Sequence, residues 1–260
     1  MTPEEALRRA FPGVLVEHYR EIGSTNDRAK TLAAGETPPV SVIYADAQTA
    51  GRGRFERAFY SPAGSGLYLS ILLRPAAFPA SEAARLTGYT AVALCEALES
   101  LCPGISEELR LKWVNDIYLR RKKLCGILTE GRIAPDGSLD YAVVGIGLNL
   151  TTEFPEELRE IATSLSAEGY APPAPEAVIA ALLPRIAEYE RELVAPAPAY
   201  LEKYREKLLF KDEKVAILEG NGETLLHGIL RGLDDSGALL LETENGLQTI
   251  AAGEVSIRRT

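Results

Sequence analysis

Residues 46–62, DAQTAGRGRFERAFYSP, lie between two apolar runs, VSVIYA before them and LYLSILL after them. Both runs have the length and the β-branched and aromatic content of buried strands. A chain written this way has to bury a sheet and hold a cationic loop at the sheet's end. The loop carries three arginines (Arg52, Arg54, Arg57) and two glycines (Gly51, Gly53). Glycine lets backbone fold closely around a ligand, and arginine offers a fork of donors to phosphate or carboxylate. Taken alone, the loop fits a solvated surface excursion as well as it fits an anion clamp. The formal net charge of −9 makes the local arginine cluster harder to dismiss. The same charge argues against a surface whose main partner is nucleic acid or an anionic membrane.

With 260 residues, 46% hydrophobic and 25% charged, the chain has the composition of an ordinary soluble globular protein. It is long enough for one large domain or for one medium and one small. No run approaches the ~20 apolar residues of a membrane span. The opening MTPEEALRRAFPG lacks the apolar core of a signal peptide, so a cytoplasmic location is expected. Cys95, Cys102 and Cys125 are odd in number and lack CxxC spacing, and the only histidines are His18 and His227. That predicts neither a disulfide framework nor a zinc site, and leaves the cysteines as small buried hydrophobes.

In chain order, the pattern predicts a short helix over 3–10 and a strand over 15–19, with no room before them for a helix-turn-helix module. STNDRAKTLAAG (24–35) has Ser24 as N-cap, Asp27 three residues on and Gly35 as a stop. A well-capped helix explains these residues without a ligand, although Ser24, Thr25 and Asn26 also present polar groups where a polar ligand can bind. Strands are predicted at 40–45 and 67–73. A dinucleotide-binding turn requires glycine at 51, 53 and 56 followed directly by a helix; position 56 is Glu and a strand follows, so that reading fails. Residues 81–101 have the spacing of a core helix, with Leu86, Tyr89, Ala93 and Leu94 on one side.

LRLKWVNDIYLRRKKLCGILTEG (109–131) reads as a hairpin turning at Asn115-Asp116, a pair suited to a tight turn. Lys112 at one strand end and Lys123 at the start of the next are placed to neutralise a carboxylate or phosphate, whereas Arg120, Arg121 and Lys122 read as solvated loop charges. YAVVGIGLNL (141–150) is a strand weakened by Gly145 and Gly147, where a bulge and the close approach of a ligand are equal explanations. Helical spacing returns at 176–193 and 198–208, with APPAP (171–175) and APAPA (195–199) as connectors. From residue 211 onward, short alternating runs broken by Gly- and Asp-rich turns suggest a small antiparallel barrel.

Five motifs, STN (24–26), Q-x-x-GRGR (48–54), KWxND (112–116), KLxGILxE (123–130) and GIGLN (145–149), occur in the order found in biotin–protein ligases. The closing GEVSIR resembles the end of that family's SH3-like terminal domain, so the likeness covers residues 20–260. It implies a mixed-sheet α/β catalytic domain of the biotin–lipoate ligase fold over 1–210 and a small SH3-like β-barrel over 211–260. The implied reaction joins biotin to ATP, with Mg2+, as biotinyl-5′-AMP and passes biotin to a lysine of a carboxylase's biotin carboxyl carrier domain. By resemblance, Ser24, Thr25, Asn26, Gln48, Arg52, Gly53, Arg54 and Lys123 contact biotin above a floor of Gly126, Leu128, Gly145 and Gly147. Arg54, Arg57, Phe59, Asn149, Glu254 and Arg258 face the nucleotide, with Lys123, Arg54 and Lys112 as the catalytic cations.

The resemblance assigns no magnesium ligand and no base for the acceptor lysine, and it leaves monomer and homodimer both open. With no DNA-reading module, the enzyme-only form is expected, without a nucleic-acid or membrane partner. Relatives commonly carry Gly at the position of Glu56, Trp at that of Phe59 and Pro at that of Val114. Phe59 can still stack on adenine over a smaller area. The competing readings are a lipoate–protein ligase and a non-catalytic biotin sensor that has lost nucleotide use through Glu56 and Phe59.

Overall fold

The computed structural model describes residues 2–75, 78–80, 83–193, 195, 198–220, 222–251 and 255–260, without the side chains of residues 56, 84, 190, 255 and 256. Its larger part is a seven-stranded mixed sheet in the order β1-β2-β3-β7-β6-β5-β4. The strands are β1 Leu15–Tyr19, β2 Val40–Ala45, β3 Gly66–Leu73, β4 Leu109–Lys112, β5 Asp116–Leu119, β6 Lys122–Ile133 and β7 Leu139–Asn149. Only β1 and β2 pair in parallel, and the crossover between them is α2 (Thr25–Ala33). As the capping pattern predicts, Ser24 is the N-cap of α2 and its hydroxyl accepts from the Asp27 N–H at 3.4 Å.

The two faces of this sheet are covered unequally. On one, α3 (Ala83–Leu101), α4 (Pro175–Ile186) and α6 (Ala199–Lys207) bury the main core with α1 (Pro3–Ala10). On the other, α2 alone packs Ala29 and Ala33 onto Ile43, Leu72 and Val143. Side chains alternate along a strand, so β7 continues from Val143 to Gly145 and Gly147 on the α2 face, and β6 presents Gly126, Leu128 and Glu130 there. The register sets Gly126 opposite Gly147 and Leu128 opposite Gly145. Where α2 ends its cover, Gly126, Gly145 and Gly147 give the sheet no side chains beside Leu128, and a hollow results.

Three expectations change in detail. No register shift occurs at Gly145 or Gly147 on either side of β7, which removes the bulge explanation. The helix expected over 176–193 is two, α4 and α5 (Tyr189–Leu193), with Pro184 unable to donate in the last turn of α4. The hairpin between β5 and β6 turns on Arg120 and Arg121 with φ of 48° and 77°, the left-handed geometry of a two-residue hairpin. Those two arginines are exposed as expected, and are paired with Glu108 and Glu213.

Beyond the first sheet, β8 (Lys214–Glu219), β9 (Thr224–Leu233), β10 (Leu239–Thr243), β11 (Gly246–Ile250) and β12 (Val255–Arg259) form an antiparallel sheet in the order β11-β10-β9-β8-β12, open between its outer strands among the described residues. It is tied to the first by Trp113, 2% exposed, whose Nε1–H donates to the Gly237 carbonyl at 3.0 Å. Trp113→Phe keeps a ring but leaves that carbonyl unpaired. The expected result is a loss of about 1–3 kcal/mol in denaturant unfolding; an unchanged midpoint would show that the bond contributes nothing. Among the described residues no helix is long and apolar enough to cross a membrane.

Candidate active site

The hollow becomes a cavity of about 350 Å³ because four more pieces of chain enclose it: the start of α2, the arginine loop, the β4–β5 turn and the C-terminal sheet. Ser24, Thr25 and Asn26 line it from α2, with Gln48 beside them. Gln48 Oε1 accepts from the Thr25 N–H at 2.9 Å and from its hydroxyl at 3.1 Å. Ser70 of β3 donates to Asn26 Oδ1 at 2.5 Å, and Asn26 Nδ2 donates to Glu130 Oε2 at 2.7 Å. Glu130 also accepts from Lys30 at 2.5 Å. This end of the cavity is thus a polar shelf with its amide orientations set by bonding.

The floor is made by the three glycines, although their immediate neighbours are protein side chains. A Cβ on Gly145 would overlap the Asn26 carboxamide, and one on Gly147 would overlap the Phe59 ring. A Cβ on Gly126 would stand 3.1 Å from Lys123 Nζ and 3.3 Å from the Phe59 ring. Close approach is therefore what these glycines serve, and Asn26, Phe59 and Lys123 are what approaches.

Cations surround the rest. Arg52, Arg54, Arg57, Lys112, Lys123 and Arg258 all line the cavity, and Asp116 is the one carboxylate lining it among the described residues. Lys123 lies 2.8 Å from Asp116, and Arg54 donates to Asn115 Oδ1 at 3.2 Å. Arg52 grips Asp27 with two bonds of 3.0 and 2.5 Å, which hold that carboxyl below the usual range. Burial pushes the Lys112 ammonium below the ordinary lysine value; Asp116 opposes the shift, while Lys123, Arg258 and Arg57 add to it. Burial likewise lowers Arg54. Two buried positive charges with four more lining the same cavity make a site that binds anions more strongly than any one of them would in solvent.

Almost every residue singled out in the sequence lines this one cavity, Gly53, Leu128 and Phe59 included. Asn149 is outside the lining: it is 3% exposed at the end of β7 and donates to the Thr163 carbonyl at 3.0 Å. Glu254 and the side chain of Glu56 lie outside the described residues. The sequence reading missed Phe55, and it quoted Asn115, Asp116 and Glu130 in its motifs without giving them a place in the site. Asn115 and Asp116 were absorbed by turn chemistry, yet both face the cavity. Glu130 carried two signals, the last place in the motif KLxGILxE and its position two residues after Leu128 on the same strand face.

Residues 19–149 match the model of the biotin/lipoate A/B protein ligase family, and residues 212–258 match that of the biotin protein ligase C terminal domain. The chain is 35% identical over 237 residues to the biotin--[acetyl-CoA-carboxylase] ligase of Paracoccus denitrificans, covering 89% of this chain and 96% of that protein. It is 34% identical over 243 residues to the bifunctional ligase/repressor BirA of Bacillus spizizenii, covering 91% and 72%. Among solved structures, the biotin protein ligase from Aquifex aeolicus in complex with biotin and ATP matches with a TM-score of 0.77 at 32% identity, over 95% of this chain and 99% of that one.

Proposed function

The chain belongs to the biotin/lipoate A/B protein ligase family, and on that premise we propose that this cavity joins biotin to ATP and hands the biotinyl group to a lysine of a carrier domain. The protein is a biotin–protein ligase, an ATP-dependent, AMP-forming enzyme. One observation carries the reading of the site: Arg52, Arg54, Lys112 and Lys123 converge on a slot floored by Gly126, Gly145 and Gly147.

In the first step the biotin carboxylate attacks the α-phosphorus of ATP, an O–P bond forms, and pyrophosphate leaves with the electrons of the bond it breaks. Two anions must approach, so the work of the site is charge neutralisation and alignment. Lys123 and Arg54 stand where that neutralisation is needed, while Arg57, Phe59 and Arg258 take the nucleotide side. The shelf of Ser24, Thr25, Asn26 and Gln48 meets the polar ureido ring, and Leu128 beside it takes the apolar remainder. In the second step the neutral amine of the carrier lysine attacks the acyl carbon and AMP departs.

Mg2+ supplies charge neutralisation to the phosphates it travels with. Asp116, which lines the cavity and lies 2.8 Å from Lys123, would be the protein oxygen donor to a metal that accompanies ATP. The partner implied by the relatives' names is a carrier domain of acetyl-CoA carboxylase. The net charge of −9 supports a partner other than nucleic acid.

Pyrophosphate release after addition of biotin and MgATP tests the reading. Biotin binding without release would make the protein a sensor, and release with lipoate but not biotin would move it to the other branch of the family. A further expectation concerns Arg54→Ala. Loss of a buried, charge-assisted contact should speed escape of biotinyl-5′-AMP by roughly 10- to 100-fold. Rapid filtration of enzyme loaded with labelled adenylate measures this, and unchanged retention would remove Arg54 from the cover.

A further inference from the structure

Phe55, at the tip of the arginine loop, has φ 59° and ψ 36°. An aromatic residue is rarely left-handed and stays so only where its surroundings compel it. Three contacts surround the ring. The guanidinium of Arg54 lies 4.8 Å from the ring centroid and that of Arg57 5.7 Å. The ring's edge presses on Gly220, where an added Cβ would stand 2.6 Å from Cδ1 and 2.8 Å from Cε1.

Gly220 follows β8 in the C-terminal sheet, and its φ lies outside the left-handed region, so the backbone there does not call for glycine. The space it vacates is the space Phe55 fills. Leu218, Gly222, Ile257 and Arg258 of the same sheet also line the cavity.

We propose that Phe55 is a positioning residue: lodged against Gly220, it clasps the arginine loop to the C-terminal sheet and aims Arg54 and Arg57 at the nucleotide. The inference rests on the ligase reading above and adds to it how the second sheet takes part in the first reaction. The ring holds Arg54 and Arg57, so its loss acts through those two cations and the phosphates they meet. Phe55→Ala removes the ring on which both guanidiniums rest. Gly220→Ala leaves the ring but evicts it, from a different sheet.

The experiment measures the KM for ATP in biotin-dependent pyrophosphate release, and the dissociation rate of the adenylate. The proteins compared are wild type, Phe55→Ala, Gly220→Ala, the double variant and Phe55→Tyr. Each single variant is expected to raise both quantities by about tenfold, the effect of freeing a partly desolvated cation–π pair. Phe55→Tyr, which keeps the ring, stays near wild type. The double variant matches Phe55→Ala, because a methyl at 220 displaces nothing once the ring is gone. Wild-type values in Gly220→Ala overturn the clasp, and so does a double variant showing the product of the two single effects. A wild-type protein that releases no pyrophosphate would instead sink the ligase reading, so the two failures are distinct.

Discussion

Lys123→Ala lowers the rate of biotinyl-adenylate formation by about 10²-fold or more, the effect of removing one preorganised electrostatic stabiliser from a water-poor site. The position of the ammonium follows from the fold. Lys123 sits near the start of β6, its N–H donates to the Ile161 carbonyl at 2.9 Å, and its carbonyl accepts from the Thr163 N–H at 2.9 Å. Pinned at both backbone groups, the residue sends its side chain over Gly126, where the absence of a Cβ leaves room for Nζ. That puts the ammonium in the cavity, where the carboxylate and the α-phosphate are to meet. Removing the lysine also leaves Asp116 without the cation that stands 2.8 Å away, so two reacting anions would face an added negative charge. Single-turnover pyrophosphate release with saturating biotin and ATP isolates this step. Lys123→Arg restores part of the rate, since charge returns with a different shape. A Lys123→Ala enzyme within a few-fold of wild type would place the catalytic cation elsewhere, with Lys112 next in line.

Local chemistry made the strands, the capped start of α2 and the cationic loop readable from residue order alone. Ser24 and Asp27 announce the helix start because the bond that caps it spans three residues. Gly145 and Gly147 announced a weakened strand but left two explanations, since the groups that fill their space, Asn26 and Phe59, come from distant parts of the chain. Phe55 and Gly220 show the same limit more sharply. Nothing near Gly220 in sequence hints that its missing side chain is an aromatic ring's berth. Lys112 is a middle case: its strand end was legible, but the lowering of its pKa depends on burial and on Asp116, Lys123, Arg258 and Arg57 gathering around it. What resists reading is thus long-range shape complementarity, whereas the charge and polarity of the site are carried by short motifs.

Gly145→Ala, the smallest change open to the floor, is expected to damage both stability and biotin binding. Its Cβ falls on a carboxamide that cannot move aside freely. Asn26 is 7% exposed, donates to Glu130 at 2.7 Å and accepts from Ser70 at 2.5 Å. The Ser70 hydroxyl also lies 2.7 Å from Thr25 Oγ1, and Thr25 in turn bonds Gln48. Displacing Asn26 therefore breaks bonds to buried partners and unsettles the whole polar shelf. Overpacking of this kind destabilises by about 1–3 kcal/mol, and each buried polar group left unpaired adds about 1–3 kcal/mol. Thermal unfolding should register a clear fall in midpoint, and calorimetry a biotin affinity weaker by roughly 30-fold or more, since the shelf is where the ureido ring is to be held. The two effects separate in the double variant Asn26→Ala/Gly145→Ala. Deleting the carboxamide makes room for the new methyl, so stability should recover relative to Gly145→Ala, by the coupling expected of residues in contact. Biotin binding should stay weak, because the amide itself is gone. If Gly145→Ala binds biotin as the wild type does, the floor is not where the ligand lies.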